Sequence, residues 1–451
     1  MHKRHFLKTT SLLLGGSAII PYACKPVTSN QTAPPPVIKN WAGNLTFSAR
    51  EYHRPTSIED VQALVSKSKK IKSFGTRHSF SNIADCDNEI ISSDGFHEVI
   101  ELDKDNLRVT VGAGIRYGEL AIYLENEGYA LHNLASLPHI SVAGACATAT
   151  HGSGDQNGNL ASIVKGLELI KGDGEIVKLT AGDPDFNGAV VNLGALGMVT
   201  RITLAIQPTF QVQQEIFEHL SLDQATKNFD AIFGSGYSVS FFTDYAEDIN
   251  QVWIKRRLPS AQALEPLNEF YDAVAATRNM HPIAANSAVN CTEQMAVPGP
   301  WHERLPHFKL DFTPSNGEEL QTEYFVDRAD APEVLNIIQA MHERITPLLF
   351  IAEIRSIQSD DFWMSTAQGG DKIAFHFTWK PEWEGVKALL PDLEKALEPF
   401  NMRPHWAKLY AMESERMQSL YPKFNDFKSL AEKYDPEQKF RNAYLSRRVF
   451  G

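Results

Sequence analysis

Ser73-Phe74-Gly75-Thr76-Arg77-His78-Ser79-Phe80 follows directly on an apolar run that begins at Ile71, and this strand-then-loop order decides how the chain is read. Small residues let successive backbone N–H groups point into one concavity, an anion nest suited to a pyrophosphate. Arg77 adds positive charge there, and His78 offers a nucleophilic imidazole. A second loop shares this character: Ala135-Ser136-Leu137-Pro138-His139-Ile140-Ser141-Val142-Ala143-Gly144, followed by Thr148-Ala149-Thr150-His151-Gly152-Ser153-Gly154. Its small side chains let a large planar ligand lie close to the main chain. Each loop taken alone also reads as an ordinary turn, because Gly and Ser cluster in turns.

Outward from these loops, short strands and helices alternate between Trp41 and about Pro208. Ile71 to Phe74, Glu98 to Leu102 and Arg108 to Val111 read as strands. Arg116 to Glu127 carries apolar residues at helical spacing and stops at Gly128. Gly172-Asp173-Gly174 between Leu167–Ile170 and Glu175–Leu179 signals a hairpin. Beyond Pro208 longer strands are expected at Tyr237–Phe242, Gln251–Arg256 and Gln321–Val326, with helices at Ala331–Arg344 and Glu384–Leu397. The last fifty residues read as helical. The class expected is α+β, in three parts: 41–208, 209–400 and 401–451.

The 451 residues are 43% hydrophobic and 22% charged, which excludes disordered, collagenous and coiled-coil proteins. A net charge of −12 disfavours nucleic acid as a partner. Lys3, Arg4 and Lys8 precede the apolar run Leu12 to Ile20, too short to span a bilayer, so 1–23 reads as an export signal. Its order resembles a twin-arginine signal with Lys in place of the first Arg. Cleavage would remove three cations and no acid, taking the balance to −15. Cys24 after Ala23 is a candidate lipid anchor, with ordinary cleavage nearby as the alternative. Residues 24–40, Pro-rich at Pro34-Pro35-Pro36, read as a tether. A periplasmic or envelope-anchored monomer is expected, with no metal.

The third glycine of a dinucleotide fingerprint is missing after Gly112-Ala113-Gly114, and P-loop, zincin and serine-hydrolase motifs are absent from the sequence. Glu353-Ile354-Arg355 and His376-Phe377-Thr378 instead lie in apolar, strand-like runs. Period-two alternation puts Glu353 with Arg355, and His376 with Thr378, on one face. Such polar side chains need partners or cost stability. They read either as a structural ion pair beside a satisfied histidine or as a ligand site. Lys408, after His405-Trp406-Ala407, reads alone as surface charge.

The stretches around His78, Ser136 and His151, with Val289–Gln294, Val297–Phe308, Glu353–Arg355, His376–Trp379 and Arg403–Lys408, form one ordered set. In these the chain resembles the FAD-dependent oxidases of the vanillyl-alcohol oxidase superfamily, and within it the bacterial alditol (xylitol) oxidases, from Asn40 to the C-terminus. The resemblance implies a two-part FAD-binding domain (41–208), an α+β substrate or cap domain (209–400), and a C-terminal segment (401–451) that closes the site and packs on the FAD domain. It implies FAD joined covalently through His78, with Ser73, Phe74, Gly75, Thr76, Arg77 and Ser79 around the pyrophosphate. Ser136, Ser141, Gly144, Thr148, Ala149, Thr150 and His151 would line the ring and ribityl chain, and Val199 would meet the adenine half.

The same resemblance implies that Ser136, Glu353, Arg355, Thr378 and Lys408 hold the hydroxyls of a polyol, with His376 beside them. The catalytic set expected is Glu353, Arg355, His376 and Lys408. Arg355 and Lys408 stabilise alkoxide charge, Glu353 orients the chain, and His376 is the candidate base because imidazole titrates near neutrality. The expected reaction oxidises a terminal hydroxyl to an aldose and reduces dioxygen to hydrogen peroxide. The alternatives are a sugar-1,4-lactone oxidase or dehydrogenase, and a colourless periplasmic carbohydrate-binding protein. Some relatives bind flavin a second time through a cysteine in this part of the chain; Cys146 is expected to be a packing residue instead.

Overall fold

A parallel βαβ unit opens the folded chain. In the computed structural model, which describes residues 37–259, 262–267, 269–312 and 319–451, strand Glu51–His53 leads into helix Ile58–Lys67 and strand Ile71–Phe74. Ser57 caps that helix by accepting from the Asp60 N–H, and Val61 and Val65 face inward. Strand Glu89–Ser92 lies between the two others, parallel to both. A five-stranded antiparallel sheet follows, ordered Val99–Asp103, Arg108–Gly112, Met198–Ala205, Val164–Ile170 and Ile176–Thr180. Helix Tyr117–Asn126 packs beside them, within one residue of the span that periodicity predicts.

The second half is built on a ten-stranded sheet. Its centre runs Gln211–Ser221, Asp248–Arg257, Ser238–Thr243, Leu349–Gln358, Lys372–Trp379 and Leu320–Asp327, all antiparallel neighbours. Segments far away in sequence complete it. Gly154–Gly158 from the first half adds parallel to Leu349–Gln358, and Arg403–Pro404 from the C-terminal segment adds to Leu320–Asp327. One face carries Tyr324, Ile354, Phe375 and Phe377 into the main apolar core with helices Ala331–Ala340 and Trp383–Leu397. The other face carries Glu323, Glu353, Arg355 and His376. Residues 37–451 form one compact unit. The α+β expectation holds.

Three expectations need correction. The tether ends before Asn40, which is buried and whose side chain donates to the Ser79 carbonyl. The export signal, Cys24 and most of the tether lie outside the described residues. The helix expected over Ala331–Arg344 stops at Ala340, where Met341 leaves helical geometry (φ −95°, ψ 8°) before a separate turn, His342–Ile345. The last fifty residues are not uniformly helical. Helices occupy Ser414–Ser419, Phe424–Tyr434 and Ala443–Arg448, while 401–413 is non-helical, with Arg403 and Pro404 paired as an edge strand and turns on either side.

The C-terminal segment packs on the first half through polar contacts. The Ile71 N–H donates to the Lys439 carbonyl, and Phe80 and Ser81 both donate to Ala407. Asn442 caps the last helix through the Leu445 N–H, and its amide donates to the carbonyls of Asn82, Ile83 and Asp85. Replacing Asn442 by Ala strips the cap and leaves those carbonyls without their donor, at a cost of about 2–3 kcal/mol. A midpoint lowered by several degrees in thermal unfolding is the expected result; an unchanged midpoint would show that the contact is not stabilising.

Candidate active site

The first predicted loop is a nest by its backbone geometry. None of the N–H groups from Gly75 to Ser79 donates to another backbone group among the described residues. Arg77 sits in the left-handed region (φ 62°), which turns successive amides the same way. Gly75 has a steric reason as well, since a Cβ there would lie 2.0 Å from Ser141 Oγ. The Arg77 guanidinium is exposed and donates to the Lys39 carbonyl at 3.2 Å, so this residue contributes its backbone rather than the charge expected of it.

His78 lies at the wall of a long cavity, its Nδ1 3.0 Å from Thr76 Oγ1 and its ring stacked on Trp41 (5.2 Å between centroids, 22° between planes). Burial, with His139, Arg116 and Arg77 nearby, lowers its pKa to about 4. The imidazole is therefore neutral, with its lone pair available, at physiological pH.

The same cavity is lined by Ser73, Phe74, Thr76 and Ser79, by Ser136, Ser141, Gly144, Thr148, Thr150 and His151, and by Val199 at the far end. This long chamber, with an amide nest in its wall and small residues along its floor, suits a dinucleotide carrying a flat ring. FAD fits the residues present. Ala149 is the exception among those expected, buried with φ 55° behind the lining. Cys146 is also behind it, its thiol 3.5 Å from the Tyr117 hydroxyl and pushed up to about 12 by burial.

At the other end of the cavity, strand register draws the polar groups together. His376 stands opposite Glu353 on one neighbouring strand and opposite Glu323 on the other. Arg355, on the same face as Glu353, donates from Nη2 to Glu323 Oε1 at 2.6 Å. Lys408 donates to Glu323 Oε2 at 2.7 Å, and His151 Nε2 lies 3.1 Å from Oε1. Ser136 Oγ is 3.4 Å from Arg355 Nη1 and 3.5 Å from Glu353 Oε2. Thr378 lines the same end. Both nitrogens of His376 are buried without a hydrogen-bond partner among the described residues, and Arg355 Nε has only the Glu353 carboxylate, at 3.6 Å. Such atoms on a cavity wall ask for a hydrogen-bonding ligand.

Electrostatics follow from the packing. Burial alone would raise the Glu323 and Glu353 pKa values, but Lys408, His151 and Arg355 hold Glu323 well below the carboxylate range, and Arg355 and His307 do the same for Glu353. Burial and Lys408 push His376 well below the usual imidazole value, so it does not titrate near neutrality as expected but stays neutral.

Sequence reasoning missed Glu323, the anion that joins three of these groups, although a lone acid in an apolar strand was the signal that found Glu353. It quoted the stretches holding His307, 2.7 Å from Glu353, and His405 in the cavity wall without giving either a role, and passed over Trp41 behind His78.

Cavity, nest and polar sheet face suit an FAD-dependent oxidoreductase. Residues 49–180 match the FAD binding domain family and residues 314–448 match the D-arabinono-1,4-lactone oxidase family. Over 412 residues the chain is 43% identical to an alditol oxidase of a Streptomyces species, covering 90% of this chain and 98% of that protein. It is 28% identical over 433 residues to an L-gulono-1,4-lactone dehydrogenase of Mycobacterium tuberculosis, covering 92% and 99%. Cholesterol oxidase from B. sterolicum superposes with a TM-score of 0.75 at 14% identity, over 92% of this chain and 96% of that one, a likeness of fold alone. The chain belongs to the alditol oxidase family.

Glu323 yields a prediction with a definite sign. Its folded pKa is depressed, so the stability it contributes is present above the unfolded value of about 4.3 and is lost as pH falls towards the folded value. Glu323→Gln leaves Arg355 and Lys408 short of an anion and costs about 3–5 kcal/mol at neutral pH. Denaturant unfolding at several pH values should show this penalty shrinking below about pH 4; a penalty independent of pH would refute the assignment.

Proposed function

We propose that this protein oxidises a terminal hydroxyl of a polyol of the xylitol or sorbitol type to the aldose. The observation that carries the reading is the rung Glu353–His376–Glu323, flanked by Arg355 and Lys408, at one end of a flavin-sized cavity. When bound, FAD supplies the two-electron acceptor, taking hydride from the carbinol carbon and passing the electrons to dioxygen to give hydrogen peroxide. Arg355 and Lys408 stabilise charge developing on the carbinol oxygen, in a dry site where such interactions are strong. Glu353 accepts a substrate hydroxyl and Ser136 and Thr378 hold others. His376, neutral and unpartnered, accepts the proton that the carbinol loses.

FAD attachment through His78 belongs to this reading, supported by the neutral imidazole and by the Trp41 ring that fixes its plane. Export to the periplasm or envelope does too, on the strength of the Lys3-Arg4 start, as does the Cys24 anchor. A covalent cofactor suits a compartment that cannot resupply it. A sugar-1,4-lactone as substrate is favoured by the family match over 314–448, and is the weaker reading because the lactone dehydrogenase is the more distant relative.

Peroxide formation assayed with xylitol, sorbitol, glycerol and a gulono- or galactono-lactone decides between them; turnover of the lactone alone would overturn the polyol reading. Lys408→Met should lower kcat by roughly 100-fold or more, the usual effect of removing a charge-stabilising donor. His78→Ala should release all flavin on acid denaturation, whereas the native protein should keep its colour in the precipitate.

A further inference from the structure

Lys255 has a burial that the reaction as described does not explain. It sits 1% exposed on the strand Asp248–Arg257, behind the cavity wall, where an ammonium group carries a large desolvation cost. Its partners account for all three of its protons. Nζ donates to the carbonyl of Leu305, to that of Pro306 at 3.3 Å, and to His307 Nδ1 at 3.2 Å. Burial lowers the Lys255 pKa to about 7 while Glu353 acts to raise it, and in the protonated form Nζ is only a donor, so His307 Nδ1 presents a lone pair to it. The ring proton is then on Nε2, which points at Glu353 Oε1 across 2.7 Å.

We infer that Lys255 is a positioning residue for the Glu353 carboxylate: acting through His307, it fixes the imidazole as a donor to Glu353 Oε1 and so leaves Oε2 turned to the substrate side. Oε1 is occupied by His307. Oε2 faces Ser136 Oγ at 3.5 Å and Arg355 Nε at 3.6 Å, on the cavity side. Were Nδ1 to carry the proton, the Nε2 lone pair would confront an ionised carboxylate at hydrogen-bond distance, and Glu353 would turn away or take up a proton. Either change removes the acceptor that a polyol hydroxyl needs. The charged or titratable groups facing this chain are Arg355 and the neutral His376 on the Glu353 side, and the protonated Cys291 thiol on the Lys255 side. The inference rests on the polyol reading for its substrate, but not for the state of His307.

The test is a double-mutant cycle on the flavin-loaded enzyme. Lys255→Met should lower kcat/KM for xylitol at least tenfold, mainly through a raised KM, with flavin absorbance per chain unchanged. His307→Gln keeps a donor near Glu353 that does not depend on Lys255, and should be impaired less than His307→Leu. In the His307→Gln background, Lys255→Met should cost under threefold more. A Lys255→Met enzyme within threefold of native, or one impaired equally in both backgrounds, overturns the inference, since the second outcome describes packing alone.

Imidazole ¹⁵N resonances decide independently of activity and of whether Lys255→Met folds. The native protein should show His307 as the Nε2–H tautomer, assigned by its loss in His307→Gln; an Nδ1–H tautomer overturns the relay. A native enzyme inactive on polyols but turning over a lactone refutes the earlier reading alone, and the cycle is then read with the lactone.

Discussion

Glu323 is the group on which the rest of the site depends. A carboxylate 1% exposed, with Arg355, Lys408 and His151 all within about hydrogen-bond reach, offsets the cost of burying two cations. These partners come from different parts of the chain: His151 from the loop after the cofactor floor, Arg355 from the central sheet, Lys408 from the C-terminal segment. A single buried anion therefore sets the distance between the cofactor half and the substrate half. Its removal would do more than lose one ion pair, because the groups left behind are desolvated and unbalanced.

The sheet explains how so many polar groups are tolerated. Its helix-facing side is mainly apolar, with Tyr324, Phe375 and Phe377 packed into the main core. Alternation then delivers the polar side chains to the opposite face, where antiparallel register rather than loop conformation sets their spacing. Hydrogen-bonded strands hold positions more tightly than loops do, which suits a site that must present donors and acceptors to a flexible substrate.

Local chemistry was legible from the sequence and long-range partnership was not. The strand at Ile71–Phe74, the helix beginning near Arg116 and the long strands of the second half are recovered to within a few residues, because period and turn residues are local signals. Glu353 with Arg355, and His376 with Thr378, were readable from alternation alone. Glu323 obeys the same rule, but its importance lies in partners distant in sequence. Lys255 reads as an ordinary strand lysine until His307 is seen beside it. Trp41 was hidden by the Pro-rich stretch before it, whose composition ran the tether a few residues too far. The Arg77 guanidinium shows the converse error: a charge in the right loop, pointed outward because its backbone is in the left-handed region.

The way the C-terminal segment is stitched in has a bearing on biosynthesis. The cofactor loop is hydrogen-bonded at Phe80 and Ser81 to Ala407, and the strand before it at Ile71 to Lys439. A growing chain exposes the nest some three hundred residues before either partner has been made. The closure entropy of so long a loop is recovered only when the final helices dock. The backbone around the nest therefore gains its last hydrogen-bond partners only once the end of the polypeptide is in place.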